Sequence, residues 1–331
     1  MNQLLIDREI ESVETIEKPI NEFLEPLLGK TFKCLDQGFV RLVDYMGNEG
    51  SVVQAARISY GKGTKSLSED VTLLRYLMRK QHTTPFEQVS LKFHCRMPMD
   101  AWRQGVRNRT AKVNEYSTRY SEAIDARQET SSGDWRLQSD MNKQGSKEGE
   151  LSWPEELEFE RTMGTKNPGE YLSLREHELH ELSVQVYEER LKFGIAKEQA
   201  RKDLPLSTYT EFYWKWDLHN LLNHFLALRM DPHAQKEIRE YAEVIGAIVQ
   251  AGFPNIWEAF EDFHPLRGAI LFTRQELAVL SKVSYNSKSE NMMETFEQIL
   301  ATESGSQYVS SLLSKREISD FKLKLSKMTI Q

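Results

Sequence analysis

Cysteine and long apolar runs are both scarce in this chain. Only two of its 331 residues are cysteines, Cys34 and Cys95, a number that excludes a disulfide scaffold and suits a reducing compartment. No uninterrupted apolar run approaches the length of a membrane span, and the acidic first residues lack the apolar core of a signal peptide. We therefore expect a soluble, cytoplasmic protein without a membrane partner.

Two familiar kinds of binding motif are missing as well. No Gly-x-Gly-x-x-Gly follows a predicted strand, so a dinucleotide would not be held by a Rossmann unit. The pair His177 and His180 lacks the His-Glu-x-x-His arrangement and a third ligand. Three further histidines are spread over too many helical turns to share one site, namely His219, His224 and His233. We predict no metal.

Positive charge is locally abundant in a chain that is acidic overall. The formal net charge is -7, yet residues 103–121 contain five cations (Arg103, Arg107, Arg109, Lys112 and Arg119) and the single carboxylate of Glu115. Arginine guanidinium groups bind phosphate oxygens bidentately. A nucleic-acid surface is one interpretation, but aromatic residues for base stacking are sparse. The pattern favours a groove for a small phosphorylated ligand, without a nucleic-acid partner.

Apolar residues alternate with polar ones in some segments and recur at helical spacing in others. The order of these predicted strands and helices favours an α+β fold over a regular βαβ alternation. Alternation predicts strands over Phe39–Tyr45 and Val89–Cys95. One helix is predicted to open at Ser68 and close at Pro85, and a short one to start at Asp100 or the residue before it. The other predicted helices cover residues 51–59, 172–193 and 213–249, the last interrupted near 230–232.

Composition marks three segments as additions to a core domain that spans residues 31–262. Residues 1–30 are acidic and weakly patterned, and we predict an N-terminal extension there. Residues 127–169 are polar and predict a long insertion with a helical piece near 154–161. Residues 263–331 predict a helical C-terminal extension.

Three motif blocks, in the same order along the chain, resemble the flavin-dependent thymidylate synthases. Arg107-Asn108-Arg109, seven residues and Ser117 are similar to the signature Arg-His-Arg-x7-Ser, and Asn114–Tyr120 fits Asn-Glu-x-Ser-x-Arg-Tyr. His82–Gln88 agrees with His-x-Thr-Pro-Phe-Glu-His at six of seven positions. Leu228–Ile238 fits Leu-Arg-x-Asp-x-His-Ala-Gln-x-Glu-Ile. The resemblance covers roughly residues 35–262 and implies a central, mostly antiparallel sheet flanked by long helices, without a Rossmann unit.

The resemblance implies an activity and a set of ligands. It implies reductive methylation of dUMP to dTMP, with methylenetetrahydrofolate as carbon donor and NADPH as reductant of bound FAD. It also implies a homotetramer whose active sites are shared between subunits. Neither cysteine has a nucleophile's setting, so the thiolate chemistry of the other class of thymidylate synthase is not expected.

The resemblance also assigns roles to single residues. Arg229 is the predicted catalytic residue at the uracil edge, and His82 lies on the folate and nicotinamide side. The predicted dUMP-binding residues are Gln104, Gly105, Val106, Arg107, Glu115, Tyr116, Ser117, Thr118, Arg119, Arg201 and Arg229. The predicted FAD-binding residues are Thr84, Arg107, Asn108, Arg109, Glu115, Asp217, Leu218, His219 and His224.

Several positions depart from the family pattern. Asn108 and Gln88 stand where the family usually has His, and His219 stands at a usual Arg. The segment from Asp217 to Arg229 is one residue longer than the pattern, which leaves the flavin contact at His224 or Asn223. Two alternatives stay open on these grounds: a degenerate member that binds flavin and dUMP without methyl transfer, and a nucleotide-binding or nucleic-acid-binding protein without turnover.

Replacing Asn108 by His is predicted to strengthen FAD binding. The imidazole adds ring area and a titratable charge that the amide lacks. The FAD dissociation constants of the wild type and of Asn108→His, measured by quenching of flavin fluorescence, test this expectation. Equal constants would remove Asn108 as a cause of altered flavin affinity.

Overall fold

The computed structural model describes residues 18–58, 67–140, 145–157, 164, 167–286 and 291–328. The chain divides into two compact units, one that ends at Leu266 and one that begins at Arg267. Within the described residues, no helix is both long enough and apolar enough to cross a membrane.

A five-stranded sheet forms the centre of the first unit. Its strands lie in the order β1-β2-β3-β7-β4, and each is antiparallel to its neighbours. The predicted α+β fold with an antiparallel sheet is therefore confirmed. The bounds are β1 (Thr31–Cys34), β2 (Gly38–Met46), β3 (Ser90–Pro98), β4 (Lys112–Glu115) and β7 (Tyr209–Asp217), while β5 (Leu137–Gln138) and β6 (Ser146–Lys147) form a separate two-stranded ribbon.

Side-chain alternation gives β3, the middle strand of the sheet, one buried face. Leu91, Phe93 and Cys95 are fully buried, while the residues between them are partly exposed. A strand buried on one face in this way has a single register that keeps its apolar side in the core. The predicted strands of β2 and β3 are both confirmed.

Two of the helix predictions are wrong at their ends. Residues 213–217 belong to β7, where Trp214 and Trp216 are buried and alternate with exposed neighbours, because aromatic residues in a two-residue period pack well on a sheet. The helix predicted to close at Pro85 ends at Arg79 instead. Gln81 follows it with a φ of 55°, a left-handed conformation that stops the helix before the proline is reached.

Long helices flank the sheet in the first unit. The helix α7 buries Ile238, Tyr241 and Ile245, which are spaced three and four residues apart, and contacts β1 and β2. The bounds are α1 (Glu49–Arg57), α2 (Leu67–Arg79), α3 (Thr84–Glu87), α4 (Met99–Gly105), α5 (Pro168–Lys192), α6 (Lys197–Ala200), α7 (Lys236–Gly252) and α8 (Pro254–Phe263). Between β7 and α7 the chain forms an α-helical turn at Leu218–Asn220, a π-helical turn at Leu221–Leu226 and a second α-helical turn at Ala227–Arg229.

The segments predicted as additions differ in how they pack. Leu24 is fully buried in the core of the first unit, and Asn21 Nδ2 donates to the carbonyl oxygen of Gly252 at 2.7 Å. Residues 1–17 lie outside the described residues. Of the helical piece predicted near 154–161, the structure contains a 3-10 turn at Glu155–Leu157, and residues 158–161 lie outside the described residues.

The second unit has its own small core of helices. Val283, Phe296 and Phe321 are fully buried in it. Lys324 Nζ donates to both carboxylate oxygens of the buried Glu276, at 2.7 Å and 2.8 Å. The helices are α9 (Arg274–Asn286), α10 (Met292–Ala301), α11 (Glu303–Leu312) and α12 (Lys315–Met328).

Candidate active site

The helix α4 carries the start of the basic segment. It follows β3 directly, and its buried Trp102 stacks on Phe212 of β7 with ring centroids 3.7 Å apart. A Cβ on Gly105 would lie 2.9 Å from a ring carbon of Trp102, closer than real Cβ contacts come. A residue without a side chain is therefore needed where the chain leaves α4 for the arginine-rich loop.

The carboxylate of Glu115 is bound by neutral donors rather than by the neighbouring cations. Trp102 Nε1 donates to Glu115 Oε2 at 3.0 Å, and Thr210 Oγ1 donates to Oε1 at 2.9 Å. Three exposed guanidinium groups have no hydrogen bond or ion pair with any residue that the structure describes: Arg103, Arg107 and Arg109. Cations left without counter-ions in one segment favour an anionic ligand.

A cavity of about 480 Å³, the basic cavity, contains much of the predicted dUMP site. The residues after β4 form one wall, and the 3-10 turn Arg201–Asp203 forms another. Arg201 Nη1 donates to Thr118 Oγ1 and joins the two walls. The predicted residues that line this cavity are Glu115, Tyr116, Ser117, Thr118, Arg119 and Arg201.

Two further cations line the basic cavity: Arg103, one of the five cations of the basic segment, and Lys202, for which the sequence predicted no role. Arg103 lies in α4, and Lys202 follows Arg201 in its 3-10 turn. Arg119 Nε is 3.2 Å from Glu198, but both side chains are more than half exposed, so water weakens that pair. The charge of the cavity is therefore suited to a phosphate group.

Arg229 and Gln104 belong to a chain of four hydrogen-bonded side chains. Arg229 Nη1 donates to Gln104 Oε1 at 3.0 Å, Gln104 Nε2 donates to Gln235 Oε1, and Gln235 Nε2 donates to Asp100 Oδ2 at 3.1 Å. The Arg229 guanidinium can only donate, so Gln104 must turn its oxygen toward it. The Asp100 carboxylate accepts, so Gln235 must turn its NH₂ group toward Asp100. Neither Asp100 nor Gln235 is among the site residues predicted from the sequence, although Gln235 lies within the motif Leu228–Ile238.

This arrangement positions Arg229 without neutralising it. Burial lowers the pKa of the Arg229 guanidinium below its ordinary value, which still leaves it protonated. Its Nε is buried and has no hydrogen-bond partner among the described residues. At the other end of the chain, burial is the main cause that raises the pKa of Asp100. Because Arg229 is held by an amide oxygen, its charge stays available to a bound ligand.

A second cavity, of about 370 Å³, lies at the opposite end of β7 and is called the histidine cavity. Leu77, Met78 and Phe86 contribute apolar walls. The polar residues of its lining are Gln81, His82, Thr83, His219, Asn223, His224 and His264. The imidazoles of His82 and His224 have no hydrogen bond with any described residue. Apolar walls with unpaired ring donors fit a flat heterocycle with polar edges, such as the isoalloxazine of FAD.

A third cavity, of about 580 Å³, shares His82 and Thr83 with the histidine cavity. Its lining includes Thr84, a predicted flavin contact, and Gln88. Gln88 Nε2 is 3.5 Å from the Thr84 carbonyl oxygen, at the limit of a hydrogen bond. The motif His82–Gln88 therefore lies along two neighbouring cavities.

Other predicted site residues lie outside these linings. Asp217 accepts from the backbone N–H and from Nδ2 of Asn220, at 2.8 Å and 2.7 Å, so its carboxylate caps the turn that follows β7. Leu218 is fully buried in the core. Asn108 Nδ2 donates to the Gly105 carbonyl oxygen at 2.9 Å. None of the three cavities is lined by Gln104, Gly105, Val106, Arg107, Asn108, Arg109 or Arg229.

Potential metal ligands do not cluster among the residues that the structure describes. Among these residues, no group of three or more His, Cys, Asp or Glu side chains is placed to hold an ion.

Both cysteines are buried, and burial raises the pKa of the Cys34 thiol to about 12. A thiol with so high a pKa forms little thiolate near neutral pH.

Comparison with known proteins gives consistent results. A family model described as Thymidylate synthase complementing protein (Thy1) matches residues 41–255. A flavin-dependent thymidylate synthase of Thermus thermophilus is 48% identical over 250 residues, which cover 76% of this chain and 84% of that protein. The protein of the same name from Wolbachia pipientis wMel is 44% identical over 252 residues, with 76% and 83% covered.

A solved structure is similar at the level of the fold and the sequence. It is the UMP/dUMP methylase PolB from Streptomyces cacaoi, crystallised with 5-Br dUMP. The TM-score is 0.59 and the identity is 28%, and the match covers 70% of this chain and 98% of the methylase.

Removing the charge of Arg201 is predicted to weaken the binding of a nucleoside monophosphate. A hydrogen bond to a charged group contributes about 2 kcal/mol, so Arg201→Gln should raise the dissociation constant of dUMP about thirtyfold. Titration calorimetry of the full chain measures this constant. The matched control is Arg175→Gln, which removes an exposed arginine that pairs with Glu178 on α5. Equal effects of the two variants would contradict a specific role for Arg201.

Proposed function

The chain belongs to the Thymidylate synthase complementing protein (Thy1) family, the flavin-dependent thymidylate synthases, and we propose that it makes dTMP from dUMP by reductive methylation. In the balanced reaction, dUMP, methylenetetrahydrofolate, NADPH and a proton yield dTMP, tetrahydrofolate and NADP⁺. The observation that carries the proposal is the basic cavity, where predicted dUMP-binding residues from separate segments meet. Arg229, held by Gln104 of α4, lies outside the lining of that cavity.

The basic cavity is the proposed seat of the dUMP phosphate. Arg201 enters it from a 3-10 turn, and Ser117 and Arg119 enter it from the loop after β4. Guanidinium forks and a hydroxyl bind phosphate oxygens with defined geometry. Lys202 and Arg103 strengthen the positive potential of the same cavity.

Arg229 is the proposed catalytic residue at the pyrimidine ring. Its guanidinium is held by Gln104 and keeps its full charge, because its partner is an amide rather than a carboxylate. A cation beside the carbonyl edge stabilises negative charge that develops on the ring, and so favours hydride addition at C6. In this proposal Gln104 both orients Arg229 and contacts dUMP.

FAD is the proposed cofactor, and the residues of the histidine cavity would hold its ring system. Bound FAD supplies the redox chemistry by carrying the reducing equivalents of NADPH to the pyrimidine. His82, His219 and His224 provide ring nitrogens at the cavity wall, and Phe86 provides an apolar surface. Thr84 lies in the neighbouring cavity, which suits another part of the cofactor or the folate.

The geometry of β7 favours active sites that are shared between subunits. The basic cavity contacts Tyr209 and Thr210 at the start of the strand, and the histidine cavity contacts His219, just past its end at Asp217. Seven residue steps of a strand span roughly 25 Å. Hydride transfer requires reacting atoms about 3–3.5 Å apart. We propose a homotetramer in which one subunit brings its histidine cavity to the basic cavity of another.

The exposed position of Arg107 and Arg109 supports the same assembly. Both side chains are exposed, and neither lines any of the three cavities described above. Contact with ligands at a subunit interface would give these cations the partners that they lack among the described residues.

We place the enzyme in the cytoplasm, where its nucleotide and folate substrates are available.

The visible spectrum of the FAD-supplemented protein tests the proposed function. Bound oxidised FAD should bleach on anaerobic addition of NADPH in the presence of dUMP. A protein that takes up no FAD would overturn the proposal, and its basic cavity would then be an anion-binding site without this redox role.

Substituting Arg229 by Lys is predicted to slow methyl transfer while FAD reduction continues. The ammonium keeps the charge but loses the planar fork that Gln104 orients, and loss of one oriented donor at developing charge typically costs about 100-fold in kcat. Rates of dTMP formation and of FAD reduction by NADPH are measured separately. The control is Arg239→Lys, at a residue of α7 that pairs with Glu243. Equal slowing of both rates would contradict a role confined to the pyrimidine ring.

Subunit mixing is predicted to restore activity between two impaired variants when dUMP is kept well below the dissociation constant of Arg201→Gln. Arg201→Gln damages the basic cavity, and His219→Leu damages the histidine cavity. If one active site uses both cavities from different subunits, then hybrids will contain some sites with neither substitution. Co-expression with two affinity tags yields such hybrids, whose activity should exceed that of either parent many times. Activity equal to the average of the parents would show that each site is built from one chain.

A further inference from the structure

The π-helical turn Leu221–Leu226 interrupts the helical segment between β7 and Arg229. The Ala227 N–H donates to the carbonyl oxygen of Leu222, five residues earlier. A π turn takes up one residue more than an α-helical turn, and such turns are frequent at functional sites. The sequence predicts one residue more than the family pattern between Asp217 and Arg229, and a turn of this kind has room for it.

Asn223, within this turn, makes two hydrogen bonds to His219. Its Nδ2 donates to the His219 carbonyl oxygen at 2.9 Å and lies 3.0 Å from His219 Nδ1. A carbonyl oxygen only accepts, so the amide group facing His219 must be the NH₂. Its second proton then points to Nδ1, which must act as an acceptor. A neutral imidazole whose Nδ1 accepts carries its proton on Nε2.

The other nitrogen of the His219 ring is free to serve a ligand. His219 and Asn223 both line the histidine cavity, and Nε2 has no hydrogen bond with any described residue. The ring of His224 lies nearly at a right angle to that of His219, with centroids 5.8 Å apart. The histidine cavity therefore receives one N–H donor from His219, with an orientation set by Asn223.

Burial favours the neutral form of the His219 ring. Burial is the main cause that lowers its pKa below the ordinary value, and His224 acts in the same direction. Glu87 of α3 and Asp217 of β7 act in the opposite direction but are outweighed. Near neutral pH the His219 ring is therefore neutral. Asn223 then determines which of its two neutral tautomers is present.

We propose that Asn223 is a positioning residue that holds His219 as the neutral Nε2–H tautomer, so that the ring donates one hydrogen bond to a carbonyl oxygen of a flat heterocycle in the histidine cavity. The inference rests on the proposed function for the identity of that heterocycle, which is the isoalloxazine of FAD or the pterin of the folate. Both present ring carbonyl oxygens, and the binding experiments below distinguish them.

The first test is the tautomer itself, measured on the full chain without cofactor. Nitrogen-15 NMR of histidine-labelled protein separates the two neutral tautomers, and His219→Gln identifies the signal of His219. The wild type should show Nε2–H, and Asn223→Leu should show a mixture. Asn223→Asp places a carboxylate beside Nδ1, so the His219 titration midpoint should rise by about one pH unit or more. A wild-type Nδ1–H tautomer, or no change in Asn223→Leu, overturns the inference.

The second test measures ligand binding by Asn223→Leu. Loss of one oriented hydrogen bond, about 1 kcal/mol, should raise one dissociation constant about fivefold. A weaker FAD complex assigns the carbonyl to the flavin, and a weaker complex of folate with the FAD-loaded protein assigns it to the pterin. The matched control is Gln185→Leu, which removes an amide that binds Glu189 on the exposed face of α5.

The outcomes separate the inference from the proposed function. Unchanged affinities for both FAD and folate, in a variant whose thermal unfolding matches that of the wild type, overturn the inference alone. A wild-type protein that binds no FAD overturns the proposed function, while the NMR measurement still decides whether Asn223 selects the tautomer.

Discussion

The hydrogen bond from Arg229 to the amide oxygen of Gln104 is the contact on which the site depends. A carboxylate in the place of Gln104 would hold the guanidinium equally well but would cancel its charge. The amide requires its own orientation, which Gln235 and Asp100 supply from the other end of the hydrogen-bonded chain. The protein thus uses three polar side chains to keep one cation in position and uncompensated, at a helix whose other face packs on the sheet through Trp102.

The antiparallel pairing of β3 and β7 places the basic cavity and the histidine cavity at opposite ends of these strands. Pro98 pairs with Tyr209 at one end and Ser90 pairs with Asp217 at the other, so α4 and the turn after β7 leave the sheet at opposite ends. Cations gather at the first end and imidazoles at the second. The helical segment from Leu218 to Arg229 then connects the histidine cavity with Gln104 of α4. The π turn in that segment changes its local hydrogen bonding, and Arg229 beyond it still reaches Gln104.

Much of this arrangement could be predicted from the sequence, and the errors have physical causes. The alternation of Leu91, Phe93 and Cys95 identified β3, because a half-buried strand leaves that pattern. Residues 213–217 were misassigned because helix-favouring neighbours follow them, although Trp214 and Trp216 alternate as in a strand. The contacts of Glu115 with Trp102 and Thr210 could not be predicted, because they join segments far apart in the sequence. The roles of the site residues remain predictions that the variants described above test.

The central claim is tested most directly by product analysis of a single reaction mixture. The purified protein is incubated with FAD, dUMP, methylenetetrahydrofolate and NADPH, and dTMP is measured by mass spectrometry beside NADPH consumption. The account predicts one dTMP for each NADPH oxidised under anaerobic conditions, and no dTMP when FAD is omitted from a flavin-free preparation. Oxidation of NADPH by the FAD-loaded protein without any dTMP would contradict it, and would identify a flavoprotein of this family that has lost methyl transfer.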